Sequence, residues 1–184
     1  MEDIITRADQ YEKRDNFKGC FALLAENLAT YPHPELYWRL ARCCYDEVYA
    51  LSDRPSKAEL KEDFAEMLKF ASKGFELDPE NPKCLTWYGI AMDEIAGLDG
   101  MQQRVKKSAE FEPLWKALYH LLKAEEIQPR MLVHNMLHVA KCYRSLKEFD
   151  QARQFCKYVI EYEGEGFRVN EAKSEVRAML TNLP

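Results

Sequence analysis

The chain has 184 residues, which suits one domain or a single short solenoid, and hydrophobic residues make up 47% of it, enough for a sizeable core. With 26 Lys and Arg against 31 Asp and Glu, its formal net charge of −5 argues against general nucleic-acid binding, which needs clustered cations. No uncharged apolar run approaches the roughly 18 residues of a membrane span, so we expect none.

Helical spacing of apolar residues predicts the elements of the first half. One helix face consists of residues three and four apart: Phe17, Phe21, Leu24, Leu28 and Tyr31. Pro32 and Pro34 close this helix and open the next. Ser56 and Glu59 have the spacing of a capping box, in which each side chain accepts a bond from the other's backbone amide. A wide apolar stripe follows: Leu60, Phe64, Met67, Leu68, Ala71 and Phe75.

The second half shows the same organisation. Helices are expected to stop at Asp78-Pro79 and at Gln128-Pro129, because proline lacks a donor and restricts the residue before it. Pro113 fits the first turn of a helix with the stripe Leu114, Leu118, Leu121 and Ala124. Asn170 is predicted to cap a last helix that ends at about Thr181. Glycine predicts loops at 97–100 and 164–166, and no segment alternates as a strand does.

One stretch repeats a recognisable pattern of small and aromatic residues. It comprises Met136, Ala140, Tyr143, Leu146–Phe149, Ala152, Cys156 and Val159–Ile160, and it resembles the tetratricopeptide repeat. Small residues such as Ala140 and Ala152 let two helices approach, and Tyr143 fills the gap between them. The same frame places Ala41 and Gly89 at corresponding positions.

The spacing of the stop signals predicts the architecture. Pro32, Pro79 and Pro129 are 47 and 50 residues apart, longer than the roughly 34 of an ordinary repeat, so we expect longer helices and a loop near 97–112. The predicted fold is all-α: a tetratricopeptide-like right-handed solenoid of about four helix pairs plus a C-terminal capping helix, forming one domain over 1–184. The alternative is an unrelated helical bundle.

Several longer strings resemble the regulator of microtubule dynamics family. They are Pro34–Arg42, Trp87–Ile90 and Leu122–Pro129, in the order in which that family has them. The chain between the second and third strings is shorter than in the family's pattern. The resemblance implies a non-enzymatic scaffold that associates with microtubules and affects spindle function and chromosome segregation, in the cytoplasm and on the cytoskeleton or spindle. The alternative function is a generic peptide-binding adaptor or co-chaperone.

The solenoid frame predicts a partner-binding groove. First helices of successive pairs line a concave face, on which Arg42, Ile90 and Lys141 take equivalent positions, with Arg39 and Arg144 one turn away. Tubulin's glutamate-rich tails, or another acidic protein segment, would suit such a basic groove. Alternatively, these cations are solvated or form salt bridges within the repeats, with Glu35, Asp46 or Glu148.

Other candidates are weaker. Arg104, Lys106 and Lys107 form a second basic patch that would touch an acidic surface or keep the loop solvated. His134 and His138 are four residues apart but lack the glutamate of the metalloprotease pattern, so we predict structural histidines, no metal and no cofactor. Three tryptophans lie on apolar stripes and are expected in the core, where an exposed one would be a candidate hot spot: Trp38, Trp87 and Trp115.

Compartment and enzyme class follow from what the motifs lack. Six cysteines occur without a CxxC pair, which predicts free buried thiols and a reducing compartment. The start of the chain does not have the pattern of a secretory signal, so we expect a cytoplasmic protein. No phosphate-binding loop or nucleophile elbow occurs, and we predict no enzymatic activity.

Overall fold

The structure, a computed structural model, describes residues 1–53, 55–98, 112–165 and 167–184. Across these ranges the chain is helical and has no strand, as the sequence predicts. In chain order the helices are α1 (Glu2–Glu12), α2 (Phe17–Leu28), α3 (Pro34–Ala50), α4 (Lys57–Leu77), α5 (Pro82–Leu98), α6 (Glu112–Ile127), α7 (Val133–Ser145), α8 (Phe149–Glu161) and α9 (Phe167–Asn182).

Side-chain caps set several helix starts. The Asn16 side-chain oxygen accepts a hydrogen bond from the Gly19 amide at 3.0 Å and begins α2. Ser56 accepts from the Glu59 amide at 3.3 Å, and the Glu59 carboxylate accepts from the Ser56 amide at 2.8 Å. This is the predicted capping box, and it starts α4 at the next residue.

Two turns repeat in detail at opposite ends of the chain. Asp15, between α1 and α2, and Lys147, between α7 and α8, both adopt a left-handed backbone with φ of 51° and 64°. In each turn the amide of the following residue donates to a tyrosine carbonyl, Tyr11 O at 3.0 Å and Tyr143 O at 2.9 Å. The first and fourth pairs therefore share one turn geometry, which confirms the repeat frame.

The helices stack in two layers. Each helix packs on the next, and α3 also packs on α5, α5 on α7, and α7 on α9. The odd-numbered helices therefore form an inner layer and the even-numbered helices an outer one. The described residues give the predicted four pairs, α1–α2 to α7–α8, followed by the closing helix α9.

Small residues lie where paired helices approach closely. A Cβ added at Gly89 of α5 would lie 2.7 Å from Leu121 Cγ and 3.1 Å from the Ala117 carbonyl oxygen of α6. Ala140 of α7 is fully buried in a cluster with Cys156 of α8. Gly89 and Ala140 therefore both allow two helices to approach closely, as the repeat pattern predicts.

All six cysteines are buried free thiols.

Helix boundaries differ from the sequence prediction at α9, and helix lengths explain the long second repeat. Helix α9 begins at Phe167, so Asn170 lies in its first turn and the prediction that Asn170 is the cap is wrong. The extra length of the second pair comes from α3 and α4, which have 17 and 21 residues. Within the described ranges no helix has the length and apolar character needed to cross a bilayer.

Candidate functional site

The inner face is the side on which α1, α3, α5, α7 and α9 meet, and it carries most of the residues predicted to bind a partner. Buried apolar side chains fill the space between the layers, because each pair shares its apolar surface with the next. The inner face itself carries charged residues together with tyrosine and histidine side chains. Their pairing decides what this face is able to bind.

Arg39 and Arg42 of α3 are held by carboxylates on both sides. Arg39 pairs with Glu35 one turn earlier on α3 and with Asp9 of α1 at 3.0 Å, and its side chain is only 6% exposed. Arg42 pairs with Glu12 of α1 at 2.8 Å and, through Nε, with a carboxylate one turn later on α3 at 3.3 Å. These bridges tie α1 to α3.

Burial and charge compete at Arg42. Burial by itself would lower the pKa of this guanidinium, but the carboxylates of Glu12 and Asp46 outweigh it and raise the pKa. Arg42 therefore stays fully charged with its charge already compensated. Arg39 is also ion-paired, with Glu35 and Asp9 as its partners.

An aromatic and histidine cluster occupies the middle of the inner face. The Tyr45 hydroxyl lies 3.2 Å from His138 Nε2, and His138 Nδ1 lies 2.8 Å from the Asp93 carboxylate. An imidazole that donates from Nδ1 to Asp93 and accepts at Nε2 from Tyr45 satisfies all three groups. His138 is 0% exposed, so these contacts use both of its nitrogens inside the protein.

His134 lies one turn before His138 and packs edge-on against Tyr45, with ring centroids 5.7 Å apart. Burial, reinforced by the charges of Arg42 and other nearby cations, lowers its pKa well below the ordinary value of 6.5. His134 is therefore a neutral aromatic packing residue. Among the described residues no group of three or more His, Cys, Asp or Glu has the arrangement of a metal site.

Lys141 of α7 is likewise paired. Its ammonium lies 3.0 Å from Glu175 of α9 and 4.0 Å from Glu94 of α5. Burial opposes its charge, but Glu94 and Glu175 raise its pKa. Glu94 also accepts a hydrogen bond of 2.8 Å from the Tyr49 hydroxyl.

Helix α9 closes the inner face. Arg168, at its start, forms an ion pair of 3.0 Å with the Asp46 carboxylate of α3 and donates to the Asp46 carbonyl at 2.5 Å. Its guanidinium also lies 5.5 Å from the ring centroid of Phe17 on α2. The contacts between Arg168 and Asp46 join residues 122 positions apart in sequence, so α9 connects the last repeat back to the second.

Asp46 is the residue on which both arginines converge. Burial raises the pKa of its carboxyl to about 6, although Arg42 and Arg168 act in the opposite direction. A carboxylate this deeply buried is stable only with close cationic partners. The ion pair between Arg168 and Asp46, called the α9 bridge below, therefore helps to stabilise the buried carboxylate near the end of α3.

The five predicted groove residues consequently fall into different environments. Arg39, Arg42 and Lys141 are paired within the chain, Ile90 is 0% exposed in the core, and Arg144 of α7 is exposed. Pairs with Glu35 and Asp46 correspond to the intramolecular alternative considered for Arg39 and Arg42. Arg104, Lys106 and Lys107 lie outside the described residues.

Sequence reasoning missed the contribution of α9. It treated this helix as a simple cap, whereas Arg168 and Glu175 supply charge to the inner face. The sequence does contain the opposite charges that pair, Asp46 with Arg168 and Lys141 with Glu175. These residues are far apart in sequence, so their pairing is recognisable only once the curvature of the stack is known. The curvature depends on side-chain packing and not on spacing alone.

Exposed aromatic residues lie on the outer helix α6. Trp115 is 53% exposed, so the expectation that it belongs to the core is wrong, whereas Trp38 and Trp87 are buried. Tyr119, one turn later, is 61% exposed. Two large aromatic rings on one exposed helix face are the kind of anchor that protein interfaces use.

The family model that matches the chain and the similar curated proteins carry the same family name. The sequence model described as Regulator of microtubule dynamics protein 1-3 matches residues 4–116 and 113–184. The chain is similar to regulator of microtubule dynamics protein 2 of Bos taurus, 24% identical over 234 aligned residues that cover 100% of this chain and 56% of that protein. It is also similar to regulator of microtubule dynamics protein 3 of Mus musculus, 24% identical over 210 residues, with 86% of this chain and 44% of that protein covered.

The chain thus spans about half the length of these curated relatives. Among solved structures, a thermophilic tetratricopeptide-repeat protein of Thermus thermophilus superposes with a TM-score of 0.66 at 18% identity, covering 97% of this chain and 82% of that one. This similarity confirms the tetratricopeptide-like solenoid.

Proposed function

We propose, since the chain belongs to the family of regulator of microtubule dynamics proteins 1–3, that it is a non-enzymatic interaction scaffold that associates with microtubules and regulates their dynamics. The family match, which runs through the whole solenoid, is the observation that carries the proposal. The proposal extends to spindle function and chromosome segregation, with the protein in the cytoplasm and on the cytoskeleton. A helical repeat stack suits this role because it offers an extended surface and needs no cofactor.

The contact with microtubules is proposed to begin at the exposed end of the predicted groove. Arg39, Arg42 and Lys141 already have carboxylate partners, and replacing one carboxylate by another from a tubulin tail gains little free energy. Arg144 and the neighbouring Lys147 are exposed at the end of α7. They are the cations that an acidic tail would meet first.

Co-sedimentation of the purified chain with stabilised microtubules tests the function. We expect the chain to pellet with intact microtubules, to pellet less as salt is raised, and to pellet less with microtubules whose acidic tails have been cleaved. Absence from the pellet at low salt would remove the proposal that the chain itself binds microtubules.

A charge-reversed variant tests the surface. Arg144→Glu with Lys147→Glu is expected to weaken pelleting about tenfold, because two exposed cations become repulsive toward the tails. The matched control is Lys69→Glu with Lys157→Glu, which changes net charge equally at exposed lysines of the outer helices. Equal pelleting of the two variants would exclude this end of the groove while leaving the function intact.

Reversal of Arg42 and Lys141 is a poorer test. A glutamate at these positions would face Glu12, Asp46, Glu94 and Glu175 inside the protein, so the fold would be destabilised together with any binding. Such a variant is interpretable only with a circular dichroism melt beside the pelleting assay.

A further inference from the structure

A cleft of about 560 Å³ lies between α2, the C-terminal half of α3 and α4. Its volume falls within the roughly 300–1,000 Å³ typical of binding pockets. It contains none of the five residues of the predicted groove, and it borders two outer helices. We call it the α2–α4 cleft; its lining residues used below are Phe17, Phe21, Cys44, Val48 and Leu51, together with the charged residues Asp15, Lys18, Glu47, Asp63 and Glu66.

The floor of the α2–α4 cleft is apolar. Phe17 is almost fully buried, and Phe21 and Val48 are half-buried at its base. Leu51, just beyond the end of α3, is 55% exposed at the edge. An apolar floor beside an exposed leucine favours a partner side chain that removes this surface from water.

The rim carries four carboxylates, Asp15, Glu47, Asp63 and Glu66, against one lysine, Lys18. Within the described part of the chain none of the four forms an ion pair, in contrast to the acidic residues of the inner face. The rim is therefore a concentration of negative charge that Lys18 offsets only in part.

Two groups in the cleft, Glu47 and Cys44, have pKa values that the rim carboxylates help to raise. The pKa of Glu47 is raised by burial and by Asp63 and Glu66, with Lys18 acting in the opposite direction. The Cys44 thiol, on the floor, has its pKa raised to about 12 by burial and then by Glu66 and Glu47. Burial is the largest cause of both shifts, and the neighbouring carboxylates add to it.

We propose that the α2–α4 cleft docks a cationic amphipathic segment of a partner protein. An apolar side chain of that segment enters between Phe21, Val48 and Leu51, and flanking Lys or Arg side chains pair with Glu47, Asp63 and Glu66. An acidic segment is repelled by the same rim, so this partner differs from the glutamate-rich tails proposed for Arg144. The cleft therefore gives the scaffold a second specificity of opposite charge.

Fluorescence anisotropy with labelled synthetic peptides tests the docking site. The probe is an amphipathic helix of Leu and Lys of about 12 residues, or roughly three turns. One comparison peptide has Glu in place of Lys and the other has Ser in place of Leu. We expect saturable binding of the Leu–Lys peptide and at least about tenfold weaker binding of both comparison peptides.

Variants of the full chain locate the binding. Glu47→Lys with Glu66→Lys is expected to weaken binding of the Leu–Lys peptide by about tenfold or more. The control pair, Glu26→Lys with Glu126→Lys, makes the same change in net charge at exposed positions outside the cleft and is expected to weaken it by less than about threefold. Leu51→Ser probes the apolar contribution separately and is expected to weaken binding about fivefold.

Each contrary outcome overturns the proposal. Absence of binding, or equal loss in the cleft and control pairs, means that the cleft is not the docking site. If the wild-type chain dimerises in sedimentation equilibrium and Glu47→Lys with Glu66→Lys abolishes this, the occupant is a second copy of the chain. Should the double variant fail to fold, Leu51→Ser decides, and unchanged binding by that variant overturns the proposal.

Discussion

At the scale of single residues, the structure explains why one glycine is required in α5. Gly89 leaves room for α6, and a methyl group at this position would meet the Ala117 carbonyl as well as the Leu121 side chain. The leucine is able to rotate away, but the backbone carbonyl is not. The close approach is thus fixed by the backbone of both helices.

Gly89→Ala is expected to destabilise the fold by about 1–3 kcal/mol, because the inserted methyl overpacks the α5–α6 contact. The matched control is Gly97→Ala, on the same helix, where no atom of the described residues lies within 4 Å of an added Cβ. That change should be neutral or stabilise by up to about 1 kcal/mol, since alanine favours helix. Urea unfolding of both variants measures the difference; equal stabilities would contradict the close packing.

Protonation of His134 gives a second residue-scale prediction. Its pKa is lowered in the folded state, so the stability that the neutral ring contributes is present above its unfolded pKa of about 6.5 and lost as the pH falls below it. Between about pH 7.5 and pH 5.5 this loss is on the order of 1 kcal/mol.

His134→Gln should remove this part of the pH dependence. The control His33→Gln, at the exposed start of α3, should keep it. Asp46, whose pKa is raised to about 6, acts with the opposite sign and favours the fold as pH falls, so the comparison is made between variants and not on the wild type alone. Denaturant unfolding at both pH values gives the slopes; parallel slopes for the two variants would refute the assignment.

At the scale of elements, the helices and those boundaries that depend on local sequence were predictable, whereas a boundary that depends on long-range contacts was not. The capping box at Ser56 and Glu59 and the stop at Asp78-Pro79 are local chemistry, and the structure has both. The start of α9 differed because Arg168, in its first turn, is held by a contact with Asp46 of α3, outside its own helix. Long-range contacts of this kind leave no periodic signal.

The same reason limits what the sequence showed of the site. The positions of Arg42, Ile90 and Lys141 followed from the repeat frame, but their partners are set by curvature. The structure buries Ile90 and gives both cations carboxylates on other helices. Which carboxylate reaches which cation depends on the angle at which successive pairs pack.

Removal of the α9 bridge tests its contribution. Arg168→Ala leaves the buried Asp46 carboxylate with Arg42 as its remaining close cation, which is expected to cost about 3 kcal/mol. Arg177→Ala, an exposed arginine on the same helix, should cost less than about 0.5 kcal/mol. Hydrogen exchange of the α9 amides should accelerate in the first variant and not in the second; unchanged exchange in both would argue against the bridge.

At the scale of the whole molecule, the bridge changes how the stack is expected to unfold. In an open solenoid each repeat contacts its neighbours only, so the ends are free to unfold separately. Here Arg168 connects α9 to α3, and α1 is tied to α3 by Arg39 and Arg42. The two ends are therefore coupled through α3.

Cysteine labelling during urea unfolding reports this coupling. Cys20 near the start, Cys84 in the middle and Cys156 near the end are all buried, and all three should become reactive at the same urea concentration. In Arg168→Ala we expect Cys156 to react at lower urea than Cys84. Separate transitions in the wild-type chain, resolved by mass spectrometry of the labelled peptides, would show that the ends are not coupled.

The Arg168–Asp46 contact also fixes how many repeats the molecule is able to hold. Stacks of identical units have no intrinsic length, yet here the last helix must reach one particular carboxyl group three pairs before it. Adding a helix pair between α5 and α7 would move α9 by one step along the stack and separate the two charges.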